Sequence, residues 1–220
     1  MKTKAAVILA ALATASVASA DIIIDDWSTD HGPYNPSNGW NQTQAGNMLG
    51  DLRRTFIQNA GSQDGEVSGE VSNDRLRFSA TNGARNFFTT YWDGPDRQGT
   101  VPYDFSEGGE NDRFRLDTYN TTNNTSAIVV VKFSDGTFAN ANFDFDARVG
   151  PHSGATEIMF SSFAGATDWS NVEWVALDLG IQADVGGEAS VTVGTFSVVP
   201  APASAMLLGL AGLATTKRRR

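Results

Sequence analysis

The chain has 220 residues, a formal net charge of −9 at pH 7, no cysteine and only two histidines. These counts exclude disulfides, thiolate metal sites and a cysteine nucleophile, and they leave too few histidines for a histidine-based zinc site. All 25 acidic residues lie within residues 21–198. This acidity argues against nucleic acid as a partner, because a phosphate backbone binds to basic surfaces.

The first 20 residues have the pattern of a secretory signal peptide. Two lysines precede an uncharged apolar run at residues 5–15, which is shorter than the about 20 residues of a spanning helix. Ala18 and Ala20 form a small-residue cleavage site that makes Asp21 the first mature residue. We therefore expect a helical signal peptide over residues 1–20, read by the Sec translocon and removed by signal peptidase.

Residues 21–198 contain one short alternating segment after another and no convincing amphipathic helix. An alternation of period two is typical of strands with one buried face. The more continuous apolar run 127–133 predicts a central strand, and the Asp-Gly turn at 134–137 predicts a hairpin. An all-β domain follows, an antiparallel β-sandwich or jelly roll. The alternating segments are residues 54–57, 66–71, 75–78, 113–116, 137–143 and 172–179, and a last strand at residues 189–198 closes the domain.

Residues 30–50 are rich in Asn, Gly and Gln, which predicts an ordered loop with an exposed tip. Tyr34 and Trp40 lie in this loop and are the candidate ligand residues, because aromatic rings offer flat surfaces for stacking on a sugar. Other tryptophans occur in strand-like sequence and are expected to fill the core: Trp27, Trp92 and Trp174.

Calcium is the metal that the composition favours, since hard cations take carboxylate and carbonyl oxygens. Jelly-roll carbohydrate-binding domains often place a structural calcium ion where the first strand meets the last. Asp25, Asp26 and Asp178 are the candidate ligands. Solvated carboxylates or turn hydrogen bonds would explain the same residues without a metal.

Carboxylate pairs suited to glycoside hydrolysis also occur. Asp144 and Asp146 share one face of a predicted strand, and a glycosidase needs two acids facing each other across a cleft. With 25 acidic residues present, such pairs arise by chance, so no catalytic residue is assigned.

Residues 199–220 have the pattern of a short membrane segment. Two prolines disrupt regular structure at its start, residues 203–216 are apolar, and residues 217–220 are basic. The basic end is expected on the cytoplasmic side. As a helix the apolar stretch would span about 21 Å, against a hydrocarbon core of about 30 Å. Such a tail would anchor the protein in the inner membrane only transiently.

The order of Pro-x-Pro motif, apolar helix and arginine cluster resembles the PEP-CTERM sorting signal of Gram-negative bacteria. The resemblance implies recognition by an exosortase, a membrane transpeptidase, and removal of the tail. This chain has alanine where the family motif has glutamate. The motif residues are Val199, Pro200, Ala201, Pro202, Arg218, Arg219 and Arg220.

Residues 49–53, 91–94 and 168–172 resemble elements of the jelly-roll domains common in secreted PEP-CTERM proteins. That resemblance implies a non-catalytic extracellular domain. The sequence therefore predicts an exported, non-enzymatic protein of the cell envelope, cell surface or extracellular matrix. A carbohydrate-binding module with extracellular polysaccharide as its partner, or a glycoside hydrolase, are the alternatives.

Overall fold

The computed structural model describes residues 21–35, 40–44, 46–59, 65–94, 102–122, 125–145, 151–165 and 167–201. Within these residues the chain forms two antiparallel sheets and no α-helix. The strands are β1 Ile22–Asp25, β2 His31–Tyr34, β3 Asn41–Gln44, β4 Leu52–Asn59, β5 Val67–Val71, β6 Leu76–Thr81, β7 Arg85–Trp92, β8 Asn111–Thr121, β9 Thr125–Phe133, β10 Phe138–Asp144, β11 Pro151–Met159, β12 Ala164–Gly165, β13 Val172–Gln182 and β14 Glu188–Pro200.

Sheet A has the strand order β11-β8-β14-β6-β5-β2, with β1 also paired to β14. β14 is long enough to have two partners along one edge. Its first half pairs with β6, from Glu188 to Val193, and its second half pairs with β1, from Phe196 to Val198. The opposite edge of β14 pairs with β8. The last described strand is therefore central to sheet A.

Sheet B has the strand order β12-β10-β9-β13-β7-β4-β3. β9 lies in its interior, which confirms the prediction of a central strand. The predicted hairpin between β9 and β10 is confirmed as well. Gly136 has φ 84°, a left-handed value that suits glycine, and its amide donates to the Phe133 carbonyl over 2.9 Å.

The two sheets share one hydrophobic core, so the predicted antiparallel β-sandwich is confirmed. Alternate residues of each strand turn inward, as in β7, where Phe88 and Trp92 are buried and Phe87 and Tyr91 are only partly buried. Rings from the two sheets meet directly, for example Trp92 and Phe196, with centroids 5.5 Å apart. Burial of these side chains removes apolar surface from water and stabilises the fold.

The polar segment 30–50 is more regular than the sequence predicts. It contributes β2 to the edge of sheet A and β3 to the edge of sheet B. Both strands have too little hydrophobic alternation to be recognised, because they lie at sheet edges and bury little.

The domain ends later than residue 198. β14 continues to Pro200, Val199 is buried, and the Ala201 amide donates to the Glu110 carbonyl over 3.1 Å. Pro200 is tolerated because a strand end requires no amide donor from it. The first residues of the predicted sorting motif therefore belong to the folded domain. The predicted signal peptide and the tail from Pro202 onward lie outside the described residues. Those described residues contain no helix capable of spanning a membrane.

Candidate functional site

Asp25, the first calcium candidate, is buried between the sheets and fully engaged. The Arg53 guanidinium lies 3.1 and 3.0 Å from its two oxygens, and the Trp92 indole N–H donates over 2.9 Å. The Trp27 backbone amide adds a bond of 2.7 Å. Burial raises the pKa of the Asp25 carboxyl, against the lowering effect of Arg53. These contacts use Asp25 as a structural ion pair and leave no vacant ligand direction for a metal.

The other two candidates are placed elsewhere. Asp26 accepts a hydrogen bond from the Ser28 amide over 2.9 Å. Asp178 lies on the outer face of sheet B, where it accepts a bond from the Thr89 hydroxyl. Among the residues the structure describes, no three acidic, histidine or cysteine side chains are grouped to hold a metal. The structure does not assemble the predicted calcium site.

The two candidate ligand residues, Tyr34 and Trp40, differ in their exposure. Tyr34 is only 1% exposed, since β2 pairs with β5 and turns the ring inward against Phe88. Its hydroxyl bonds the His31 ring nitrogen over 2.6 Å. Tyr34 is therefore a core residue, which corrects the expectation from its polar surroundings. Trp40 is 50% exposed and remains a candidate.

Trp40 belongs to a cluster of aromatic side chains on the outer face of sheet B. Its ring stacks on Phe56, with centroids 5.1 Å apart and planes 25° apart, and lies 5.5 Å from Tyr91. The cluster continues from Tyr91 to Trp174 over 5.6 Å and from Trp174 to Phe138 over 5.8 Å. We call these five residues the aromatic cluster. It crosses the sheet from Trp40, which directly precedes β3, to Phe138 on β10. Both of these end residues are exposed, by 50% and 51%.

A cleft of about 330 Å³ opens within the aromatic cluster, lined by Trp40, Arg54, Tyr91, Asp93 and Trp174. Arg54 and Asp93 form a buried ion pair at this cleft. Partial burial and the Asp178 carboxylate raise the pKa of the Tyr91 hydroxyl, which keeps it protonated and able to donate. The cleft thus combines apolar ring faces with a few polar groups, the usual composition of a ligand site.

Trp174 was expected in the core, and that expectation is wrong. A bulge between Val172 and Trp174 shifts the register of β13, so Val172 and Val175 both face inward while Trp174 faces outward. A signal for this placement exists in the sequence. Asp178 shares the two-residue alternation of Trp174, and a carboxylate on the same face indicates that the face is outward.

No family model and no curated protein matches the sequence. Among solved structures, the chain is similar to a family 11 carbohydrate-binding module from Clostridium thermocellum in complex with a β-1,3-1,4-mixed-linked tetrasaccharide. The identity is 15% and the TM-score 0.42, over 83% of this chain and 98% of that one. A CBM4 structure matches with 10% identity and a TM-score of 0.38, over 82% and 99% of the two chains. An exo-β-agarase matches with 12% identity and a TM-score of 0.43, over 82% and 25%. These similarities are distant, and the chemistry of the outer face follows from its own side chains.

Proposed function

We propose that the outer face of sheet B binds an extracellular polysaccharide through the aromatic cluster. The half-exposed Trp40 ring, held in place by its stack on Phe56, is the observation that carries this proposal. Large aromatic side chains left at the surface of a sheet mark interaction sites, because their exposure to water is unfavourable. The weakly polar C–H faces of sugar rings are suitable partners for such rings.

The rings of the cluster are restrained before a ligand arrives. Tyr91 contacts both Trp40 and Trp174, and Trp174 also contacts Phe138. A side chain fixed by its neighbours loses little conformational entropy on binding, which favours affinity. The cluster therefore has the properties of a preorganised stacking surface.

The proposal includes binding without hydrolysis. Asp93 is paired with Arg54, and Glu173 with Lys132 over 2.9 Å. A glycosidase needs two carboxylates available on either side of the scissile bond. Ion pairing of these carboxylates supports a binding role for the face.

Trp40→Ala should weaken binding by about 30-fold, because truncating a tryptophan anchor costs about 2 kcal/mol or more. The probes are soluble mixed-linkage β-glucan, xylan and galactomannan in affinity electrophoresis and calorimetry. Met159→Ala is the matched control, since Met159 is 47% exposed but lies on sheet A. Binding that survives Trp40→Ala, or that falls equally in both variants, would contradict the proposal.

Export and sorting complete the proposed function. The protein would be an exported jelly-roll domain, passed through the Sec translocon, processed by an exosortase at the inner membrane and delivered to the cell surface or extracellular matrix. The terminal patterns of the sequence support this route.

Intact-mass measurement of the surface-associated protein should show a chain that begins at Asp21 and ends at or after Ala201. Val199 is buried and the Ala201 amide is hydrogen-bonded to Glu110, so a protease cannot thread these residues without unpairing β14. A mature chain that retains Arg220 would refute tail removal. A chain cut before Ala201 would refute protection by the sheet.

A further inference from the structure

The outer face of sheet B continues beyond the aromatic cluster along β7 and β13. From Tyr91 towards the start of β7, the next outward residues are Thr89, Phe87 and Arg85. They pair with Asp178, Gly180 and Gln182 of β13, respectively. A second cleft of about 270 Å³ lies at this end, lined by Arg85, Phe87, Thr125, Ser126, Gly180, Ile181 and Gln182. The two clefts thus lie on one face, at opposite ends of the same two strands.

Gly180 lines the second cleft and has no side chain. A Cβ atom at Gly180 would lie 3.1 Å from the Phe87 ring and 2.8 Å from the Ser126 hydroxyl, closer than side chains pack. Glycine therefore lets Phe87 lie over the strand and present an apolar surface. This repeats, at the far end of the face, the combination of an aromatic ring and polar neighbours found in the aromatic cluster.

Asp178 lies between the two clefts. It is half-buried, and among the residues that the structure describes it accepts one side-chain hydrogen bond, from the Thr89 hydroxyl at 2.9 Å. Burial raises the pKa of this carboxyl above its ordinary value of 3.8, with Thr89 acting in the opposite sense. A desolvated carboxylate with a single donor destabilises the folded protein at neutral pH. Its second oxygen has capacity for donors from a ligand.

We propose that one uncharged polysaccharide chain lies along β7 and β13, from the aromatic cluster to the Phe87 cleft, and that Asp178 accepts hydrogen bonds from its hydroxyl groups midway. This inference depends on the proposed function and adds the direction, charge class and length of the ligand. Tyr91 and Arg85 are six residues apart on β7, which corresponds to about 20 Å along a strand. A chain of several sugar units is needed to fill that length.

The charge of the face selects against acidic polysaccharides. A ligand carboxylate or sulfate near Asp178 would meet a like charge in a partly desolvated position, within a protein that already carries a net negative charge. Lys132 and Arg54 do not offset this, because each is paired with an acidic residue, Glu173 and Asp93. Arg85 lies at the far cleft, with its guanidinium 5.8 Å from the Phe87 ring. It is four residues along β7 from Thr89, the partner of Asp178, about 13 Å along a strand, too far to neutralise that carboxylate. Neutral sugar hydroxyls, in contrast, donate to Asp178 without a charge penalty.

The test compares polymers, chain lengths and variants. Alginate, polygalacturonate and hyaluronan are titrated beside the three neutral polymers, and oligosaccharides of two to six units are prepared from the neutral polymer that binds. Affinity should increase with length beyond the dimer, and Phe87→Ala should weaken the six-unit ligand without changing the two-unit ligand. Asp178→Asn should reduce neutral-ligand affinity about tenfold, the effect of a lost charge-assisted hydrogen bond.

A stability measurement separates this role from a structural one. Because the folded-state pKa of Asp178 is raised, the folded protein binds its proton more tightly, and stability is lost as the pH rises above the ordinary value of 3.8. Asp178→Asn should therefore raise Tm at pH 7 and leave it unchanged at pH 3 while weakening binding. Asp117→Asn, which alters a carboxylate on β8 of sheet A, is the control and should leave affinity unchanged.

The outcomes distinguish this inference from the proposed function. Equal affinity for dimer and hexamer, undiminished binding by Asp178→Asn, or preference for an acidic polymer would overturn the inference while binding by the aromatic cluster stands. If none of the six polymers binds, both proposals fail.

Discussion

Arg53→Met is expected to lower the free energy of unfolding by about 3–5 kcal/mol, because it leaves the Asp25 carboxylate buried without its partner. Both side chains are buried, with relative exposures of 0% and 1%. Arg53 also donates to the Thr29 carbonyl over 2.8 Å and lies 4.9 Å over the Trp27 ring. The substitution removes all of these contacts. A domain stabilised by about 5–15 kcal/mol would come close to unfolding.

Urea denaturation followed by tryptophan fluorescence gives the measurement. Arg77→Met is the control, since its ion pair with Glu70 is 47% and 46% exposed, and such pairs contribute less than about 1 kcal/mol. The loss of unfolding free energy in Arg53→Met should become smaller as the pH falls, because protonation of Asp25 removes the unpaired charge. Equal effects of the two substitutions would show that the buried pair is not a support of the fold.

Phe114→Ala should be the most destabilising substitution in the core outside that ion pair, with a cost of about 3–5 kcal/mol. Phe114 is fully buried on β8 of sheet A. Its ring contacts five others, with centroids 5.4 to 5.9 Å away. The contacted residues are Phe105, Phe160, Phe163, Trp169 and Phe196. Truncation leaves a cavity that this many fixed rings cannot close.

Phe138→Ala is the matched control, because it removes the same side chain from a 51% exposed position. Surface substitutions usually change stability by no more than about 0.5 kcal/mol. Thermal and urea unfolding of both variants should therefore separate core from surface, although Phe138→Ala belongs to the aromatic cluster and should weaken ligand binding. Comparable destabilisation by both variants would contradict the assignment of Phe138 to an outward-facing cluster.

The same residue types thus have two roles in this protein. Trp27 and Trp92 are buried and each donates its indole N–H to a buried acceptor, Gly194 O at 2.7 Å and Asp25 at 2.9 Å. Trp40 and Trp174 face outward and contact other aromatic rings of the outer face. A buried indole N–H requires a hydrogen-bond partner, and the interior of the sandwich supplies one for Trp27 and Trp92. The outward rings of Trp40 and Trp174 remain accessible to a ligand.

Period-two alternation was sufficient to predict β4, β5, β6, β8, β10 and β13 in part, since one-sided burial imposes that pattern along each strand. The apolar run 127–133 predicted β9, and the last segment, 189–198, predicted most of β14. Alternation was not sufficient for the edge strands β2 and β3, which bury few side chains, nor for β7, where Phe87 and Phe88 are adjacent and hide the alternation. The core positions of Trp27 and Trp92 also followed from their strand-like surroundings.

By itself, the amino-acid sequence determined the fold class, the acidic charge that disfavours nucleic acid, and the exclusion of cysteine chemistry, because these depend on composition and local pattern. Tertiary structure alone decided which aromatic residues face outward. A bulge in β13 places Trp174 on the outer face, and the pairing of β2 with β5 places Tyr34 in the core. Asp25 forms an ion pair with Arg53, which lies 28 residues later in the sequence. Local sequence cannot specify such placements, since each depends on contacts between strands that lie far apart in the chain.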